Sequence, residues 1–94
     1  MNLFGTRLFD EFCRAHADAA SQMSAWMAEI KAAGWKTPND MRLRYPNASI
    51  LDYGQVVFNI KGNDYRILTK IKIDTGDVLI RKVGTHAEYS KWKL

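Results

Sequence analysis

The sequence predicts an α+β fold: N-terminal helices packed on one face of a curved antiparallel sheet, in the order β-α-α-β-β-β with a short C-terminal helix. Two changes of rhythm carry that prediction. Ala19, Met23, Trp26, Ile30 and Ala33 recur at helical spacings of 4, 3, 4 and 3. From Ile50 onward the apolar residues alternate instead, with two turn signals, Lys61-Gly62-Asn63-Asp64 and Asp74-Thr75-Gly76-Asp77. Ninety-four residues suffice for a single domain spanning 1–94 and are too few for two independent cores.

In chain order, Met1 to Phe4 is a short apolar start suited to an edge strand. Thr6 has the chemistry of an N-cap for a helix beginning at Arg7, with Asp10 and Glu11 near its N-terminal end. Leu8, Phe9 and Phe12 form its expected buried stripe. Helix continues to about Ala33, and Gly34 stands where a left-handed residue ends a helix. Thr37-Pro38-Asn39-Asp40 starts another: Thr37 caps, Pro38 takes the first helical position, and Asp40 stands at the capping-box site. Pro46 stops it. Val56 to Ile60 is the first strand of a three-stranded meander. On the middle strand Tyr65, Ile67, Thr69, Ile71 and Ile73 point one way, and Arg66, Leu68, Lys70 and Lys72 the other. A hairpin centred on Thr75 and Gly76 pairs Ile73 with Val78, Val78 to Val83 is the last strand, and Thr85 caps a final helix over His86 to Trp92.

Composition narrows the function classes. Hydrophobic residues are 47% and charged residues 26%, as in an ordinary globular protein. A single cysteine, Cys13, excludes an intrachain disulfide and a Cys-rich metal site. His16 and His86 lack partners at ligand spacing, so neither a metal nor another cofactor is expected. The longest apolar run is Ala25-Trp26-Met27-Ala28, far short of the roughly 20 residues of a membrane span. The N-terminus lacks a signal-peptide pattern, and a cytoplasmic location without membrane association is expected.

The charge is uneven. Residues 1–40 carry four basic against five acidic residues, and residues 41–94 carry ten against five. The whole excess of +4 therefore lies in the second half, which suits a phosphate-bearing partner. A polar outer face is also what any half-buried antiparallel sheet shows.

The residues with chemical capacity in that half are Asn59, Asn63, Arg66, Arg81, His86 and Tyr89. Two arginines can fork onto phosphate oxygens. A histidine or tyrosine can move protons, and a tyrosine can stack on an unpaired base. Each also has a plainer role: His86 at a helix start, Tyr89 as a packing aromatic, the arginines as partners of Asp64 or Asp77, and the asparagines in turns. The three tryptophans are assigned to packing.

Two stretches give these residues a context. Val57-Phe58-Asn59-Ile60-Lys61-Gly62-Asn63-Asp64-Tyr65-Arg66-Ile67 and Ile80-Arg81-Lys82-Val83-Gly84-Thr85-His86-Ala87-Glu88-Tyr89 together closely resemble the HigB branch of the RelE-like toxins. The resemblance includes Lys36-Thr37-Pro38 to Arg44-Tyr45-Pro46 and covers almost the whole chain. It implies the toxin of a bacterial type II toxin–antitoxin pair. It further implies a metal-independent endoribonuclease that cuts mRNA, in many members on the ribosome, by attack of the ribose 2′-hydroxyl. Its implied partners are mRNA, the ribosome and a HigA-type helix-turn-helix antitoxin, with operator DNA reached only through the antitoxin complex.

Carried over by position, Arg66 is assigned to the scissile phosphate and Arg81 helps hold it. His86 is the acid or base, and Tyr89 positions or stacks on the RNA. Asn59 and Asn63 match the first motif, while Lys61, Lys70, Lys72 and Lys82 are candidates for backbone contact only. The alternative reading is a non-cleaving module of the same fold, acting as a translation blocker on RNA or as a co-repressor with the antitoxin.

Overall fold

The computed structural model describes residues 1–62 and 64–93. The described elements are strand β1 (Asn2–Phe4), helix α1 (Thr6–Ala15), a 3₁₀ turn (Ala17–Ala19), α2 (Ala20–Ala32), α3 (Pro38–Arg44), β2 (Ser49–Ile50), a second 3₁₀ turn (Asp52–Gly54), β3 (Gln55–Ile60), β4 (Tyr65–Lys72), β5 (Asp77–Thr85) and α4 (His86–Tyr89). The strands form one sheet in the order β1-β5-β4-β3-β2.

The α+β architecture is as the sequence predicts, with one difference in the sheet. β2, β3, β4 and β5 are antiparallel neighbours, but β1 lies parallel to β5. Tight hairpins force antiparallel pairing. β1 is not bound by a hairpin, because the chain leaves it for the helical layer and meets it again only after β5 has returned across the sheet.

The helical seam packs as its spacing requires. Ala19, Met23, Trp26 and Ile30 are buried with Phe9 and Met41 against Val56, Phe58, Ile67, Val78 and Ile80 of the sheet. Trp26 stands edge-to-face on Phe58 at 5.4 Å, and Tyr45 does so from the other side at 5.1 Å. Leu8 departs from the expected stripe: it is exposed, and Phe9 alone of α1 is fully buried.

Several local expectations are corrected. Thr6 is the first helical residue, and Gly5 precedes it in a left-handed conformation without any side-chain cap. Gly34 is not left-handed. The carbonyls of Ile30, Lys31 and Ala33 at the end of α2 accept instead from the Met1 amino group, so no glycine cap is needed there. The capping boxes of Thr37 with Asp40 and of Thr85 with Glu88 are both complete. α4 stops at Tyr89, although tightened bonds from Lys91 to Glu88 and from Trp92 to Tyr89 carry the chain on in the same curl.

The last hairpin is two residues longer than expected. Ile71, not Ile73, pairs with Val78, and Lys72 pairs with Asp77. Ile73 to Gly76 forms the loop, which Gly76 closes at φ 73° by donating its N–H to the Ile73 carbonyl at 3.2 Å.

An ion-pair cluster ties the helical layer to the β3–β4 hairpin. Lys61 Nζ and the Tyr65 hydroxyl donate to Asp18 Oδ2 at 2.9 and 2.7 Å. The Lys61 bond first, and then the Tyr65 bond, lower the Asp18 carboxyl to about 2. Its pKa lies below that of an unfolded aspartate, so its contribution is fully present above about pH 4. That contribution is lost as pH falls through about 2. The melting-temperature gap between wild type and Asp18→Asn should therefore hold at pH 5 and close toward pH 2. A gap unchanged at pH 2 contradicts the cluster's role.

Candidate active site

The outer face of the sheet is built in rows. Asn59 on β3, Arg66 on β4 and Gly84 on β5 form one row; Val57, Leu68 and Lys82 form the next. Between these rows and the loop end of β5 lies an irregularity at Leu68/Thr69: Leu68 pairs with Lys82 and Thr69 with Ile80, so Arg81 is the extra residue of a bulge. Val78 and Ile80 are buried in the core and Val83 packs against it. The bulge thus resets the alternation and leaves two consecutive cations, Arg81 and Lys82, on the outer face.

The row with Arg66 lies beneath α4. Thr85 ends β5 and caps α4: its hydroxyl accepts from the Glu88 N–H at 3.2 Å, and its own N–H donates to the Glu88 carboxylate at 3.0 Å. The Thr85 N–H is the main reason that the Glu88 carboxyl lies below the usual range. The cap turns the chain back over the sheet. Arg66 Nη2 comes to 3.0 Å from His86 Nδ1, Arg66 Cζ lies 5.1 Å from the Tyr89 ring centre, and Arg66 Nη1 donates to the Tyr65 carbonyl at 3.2 Å. Arg66 is only 7% exposed, whereas His86 is open to solvent.

An arginine can only donate. Its contact with His86 therefore takes Nδ1 as the acceptor. The site brings together a buried cation, an imidazole and an aromatic face.

Gly84 makes room for this arrangement. A Cβ there would lie 2.8 Å from Trp92 Cζ2 and 3.2 Å from Glu88 Cβ. Gly84→Ala should lift α4 and Trp92 from the sheet. The expected result is loss of most site activity at a melting temperature lowered by a few degrees at most, since α4 and Trp92 lie outside the main core cluster. Full activity in this variant would show that α4 tolerates displacement.

The RelE-like toxin family described as HigB_toxin, the toxic component of a toxin–antitoxin system, matches residues 19–92. The chain belongs to the HigB toxin family. It is 26% identical over 93 residues to the mRNA interferase HigB of Escherichia coli O6:H1, covering 97% of this chain and 90% of that protein. It is 28% identical over 85 residues to the mRNA interferase toxin HigB of Escherichia coli K12, covering 81% and 82%. The mRNA interferase HigB of Shigella flexneri is similar to the same extent.

The residues expected at a HigB-type site divide into three groups. Arg66, His86 and Tyr89 come together. Arg81, Lys82 and Asn59 surround them on the same face. Arg81 is exposed and makes no side-chain hydrogen bond or ion pair among the described residues, Lys82 Nζ lies 5.7 Å from the Trp92 ring, and Asn59 Nδ2 donates to the Asn47 carbonyl at 3.1 Å. The remainder lie elsewhere. Lys61 is committed to Asp18 on the helical side of the hairpin, which removes it from the outer face. Lys70 and Lys72 stay on that face but about 13 and 20 Å along the strand from Arg66. Asn63 lies outside the described residues.

One expectation about this face is corrected by burial: Arg66 is not a solvated surface arginine. Leu68, expected on this face among the cations, pairs with Val57 as a buried apolar patch. Trp92, assigned to packing, belongs to the site's wall: it meets Tyr89 edge-to-face at 5.6 Å and bears on Gly84. Its spacing of three from Tyr89 is the signal that points to it. No helix is long and apolar enough to cross a membrane among the described residues.

Proposed function

We propose that this chain is an endoribonuclease that cuts mRNA by attack of a ribose 2′-hydroxyl on the adjacent phosphate. The observation that carries the reading is the contact of Arg66 Nη2 with His86 Nδ1 at 3.0 Å, beneath Tyr89 and beside the cations of the bulge. Similarity to relatives named mRNA interferases supports the substrate class.

A phosphate entering this corner competes with His86 for the Arg66 guanidinium, since a charged acceptor binds a guanidinium more strongly than a neutral nitrogen. Once Arg66 turns to the phosphate, the Nδ1 lone pair of His86 is released and can accept the 2′-hydroxyl proton. The 2′-oxygen forms its bond to phosphorus, the bond from phosphorus to the 5′-oxygen breaks, and the imidazolium returns a proton to that oxygen. The products are a 2′,3′-cyclic phosphate and a 5′-hydroxyl. Arg66 and Arg81 balance the charge that builds on the phosphoryl oxygens, with no metal required by the scheme. Tyr89 holds the neighbouring nucleotide by stacking. The charge excess of residues 41–94 supports binding in a polyanionic setting such as the ribosome. A helix-turn-helix antitoxin restrains the toxin and carries it to operator DNA.

The test is brief induction of wild type and Arg66→Ala in bacteria, with new 5′ ends mapped on abundant transcripts. New ends inside coding regions are expected with wild type only. Growth arrest without new ends overturns cleavage and makes the protein a blocker of translation that acts by binding.

A further inference from the structure

β2 is only two residues long and pairs with Val56 and Val57 alone. The residues before it, Asn47 and Ala48, continue past Asn59 and Phe58 without pairing. An opening of about 300 Å³ results, between this segment and the edge of β3, with Gly62 at its rim. Its chemistry is specific. Phe58 and Tyr45 meet there edge-to-face, and the Arg44 guanidinium lies 4.8 Å from the Tyr45 ring centre. Arg44 is fixed by its ion pair with Glu29, and the Tyr45 hydroxyl donates to the same carboxylate. Asn59 spends its Nδ2 on the Asn47 carbonyl, which leaves Oδ1 as an acceptor without a partner among the described residues.

The exposed Arg44 guanidinium supplies a plane on which an unpaired nucleobase can stack, the half-buried Tyr45 ring and the fully buried Phe58 close the floor beneath, and the Asn59 amide supplies an acceptor to read its edge. The position is equally telling. Asn59 is the cross-strand partner of Arg66, so the opening begins about 5 Å from the residue assigned to the phosphate. We infer that the opening lined by Arg44, Tyr45, Asn47, Ala48, Phe58 and Asn59 is a nucleobase pocket that receives a base flanking the cleaved phosphate and sets sequence preference. The inference rests on the cleavage reading above for its substrate. It adds a role for the segment between α3 and β3, to which no candidate site residue had been assigned.

The experiment uses short single-stranded RNAs with a 2′-deoxyribose at the cleavage position, which blocks attack without removing any base. The four bases are varied in turn at each position flanking that linkage. Wild type should bind one base at one position about tenfold more tightly than the weakest, the span of one well-read base. Ala48→Leu, which fills the opening, and Asn59→Ala, which removes the acceptor, should each reduce the spread to under about threefold. Melting curves check that both variants fold, and Asn59→Ala decides if Ala48→Leu does not. Equal binding of all bases by wild type, or a spread retained in Asn59→Ala and in folded Ala48→Leu, overturns the pocket. The same oligonucleotides with ribose throughout separate the two readings. Selective binding without cutting defeats the nuclease and leaves the pocket standing, whereas cutting with no preference for base does the reverse.

Discussion

Arg66→Ala should lower the single-turnover rate of RNA cleavage by a factor of about 10² to 10³, equivalent to roughly 3 kcal/mol, as for removal of one preorganised donor to a developing oxyanion. The same substitution should lower the melting temperature by only a few degrees. Arg66 lies on the outer face of the sheet, where it meets His86, the Tyr65 carbonyl and the Tyr89 ring rather than the hydrophobic core. Its truncation loosens the contact with α4 without opening a cavity in that core. The divergence of the two measurements separates a catalytic arginine from a structural one. Arg66→Lys should recover under a tenth of the lost rate, because an ammonium cannot bond His86 and fork onto a phosphate with the same planar geometry. Retained cleavage in Arg66→Ala removes the arginine from the mechanism. A fall in melting temperature that accounts for the lost activity makes it a structural residue instead.

Which parts of this site were legible beforehand follows from the range of the forces involved. Thr37 with Asp40 is a local hydrogen-bond device three residues apart and formed as expected, and Thr85 caps α4 as expected, with Glu88 completing a box that the sequence reading did not name. The seam from Ala19 to Ile30 was legible because helical spacing places those side chains on one side whatever they pack against. Strand alternation was legible for β4, and it placed Arg66 on the outer face correctly. It failed to say that Arg66 would be buried there. That burial comes from α4 turning back over Gly84, a contact between segments twenty residues apart.

Lys61 shows the same limit from the other side. Its charge made it a candidate for nucleic-acid backbone contact, but Asp18, 43 residues earlier, takes its ammonium. The bulge at Arg81 is an intermediate case. Its signal was present as two adjacent cations between Ile80 and Val83, where strict alternation allows one outward residue. Reading that break as a bulge would have placed Arg81 and Lys82 on one face without any structure. The parallel pairing of β1 had no such local sign, because it depends on where β5 returns.

The bulge also explains why the N-terminal junction matters to a site it does not touch. Gly5 joins β1 to α1 at φ 83°, and a Cβ on it would fall 2.5 Å from the Ile80 carbonyl oxygen. That oxygen is main chain, immediately before Arg81, and cannot swing aside as a side chain can. Gly5→Ala should therefore cost about 2–4 kcal/mol, combining a left-handed alanine with an overpacked backbone contact. Gly62→Ala provides the control. Its φ is 66°, but nothing lies within 4 Å of the added carbon, so it should cost only about 1–2 kcal/mol. Urea unfolding with an unchanged slope measures both. Relief of the clash must move β5 at Ile80 or detach β1 from it, and either shift displaces the Arg81–Lys82 pair. The fraction of Gly5→Ala that remains folded should accordingly cleave RNA more slowly than wild type. Equal costs for the two glycines contradict the close approach of Gly5 to β5. A destabilised Gly5→Ala with full activity per folded molecule shows instead that the bulge holds its geometry independently of β1.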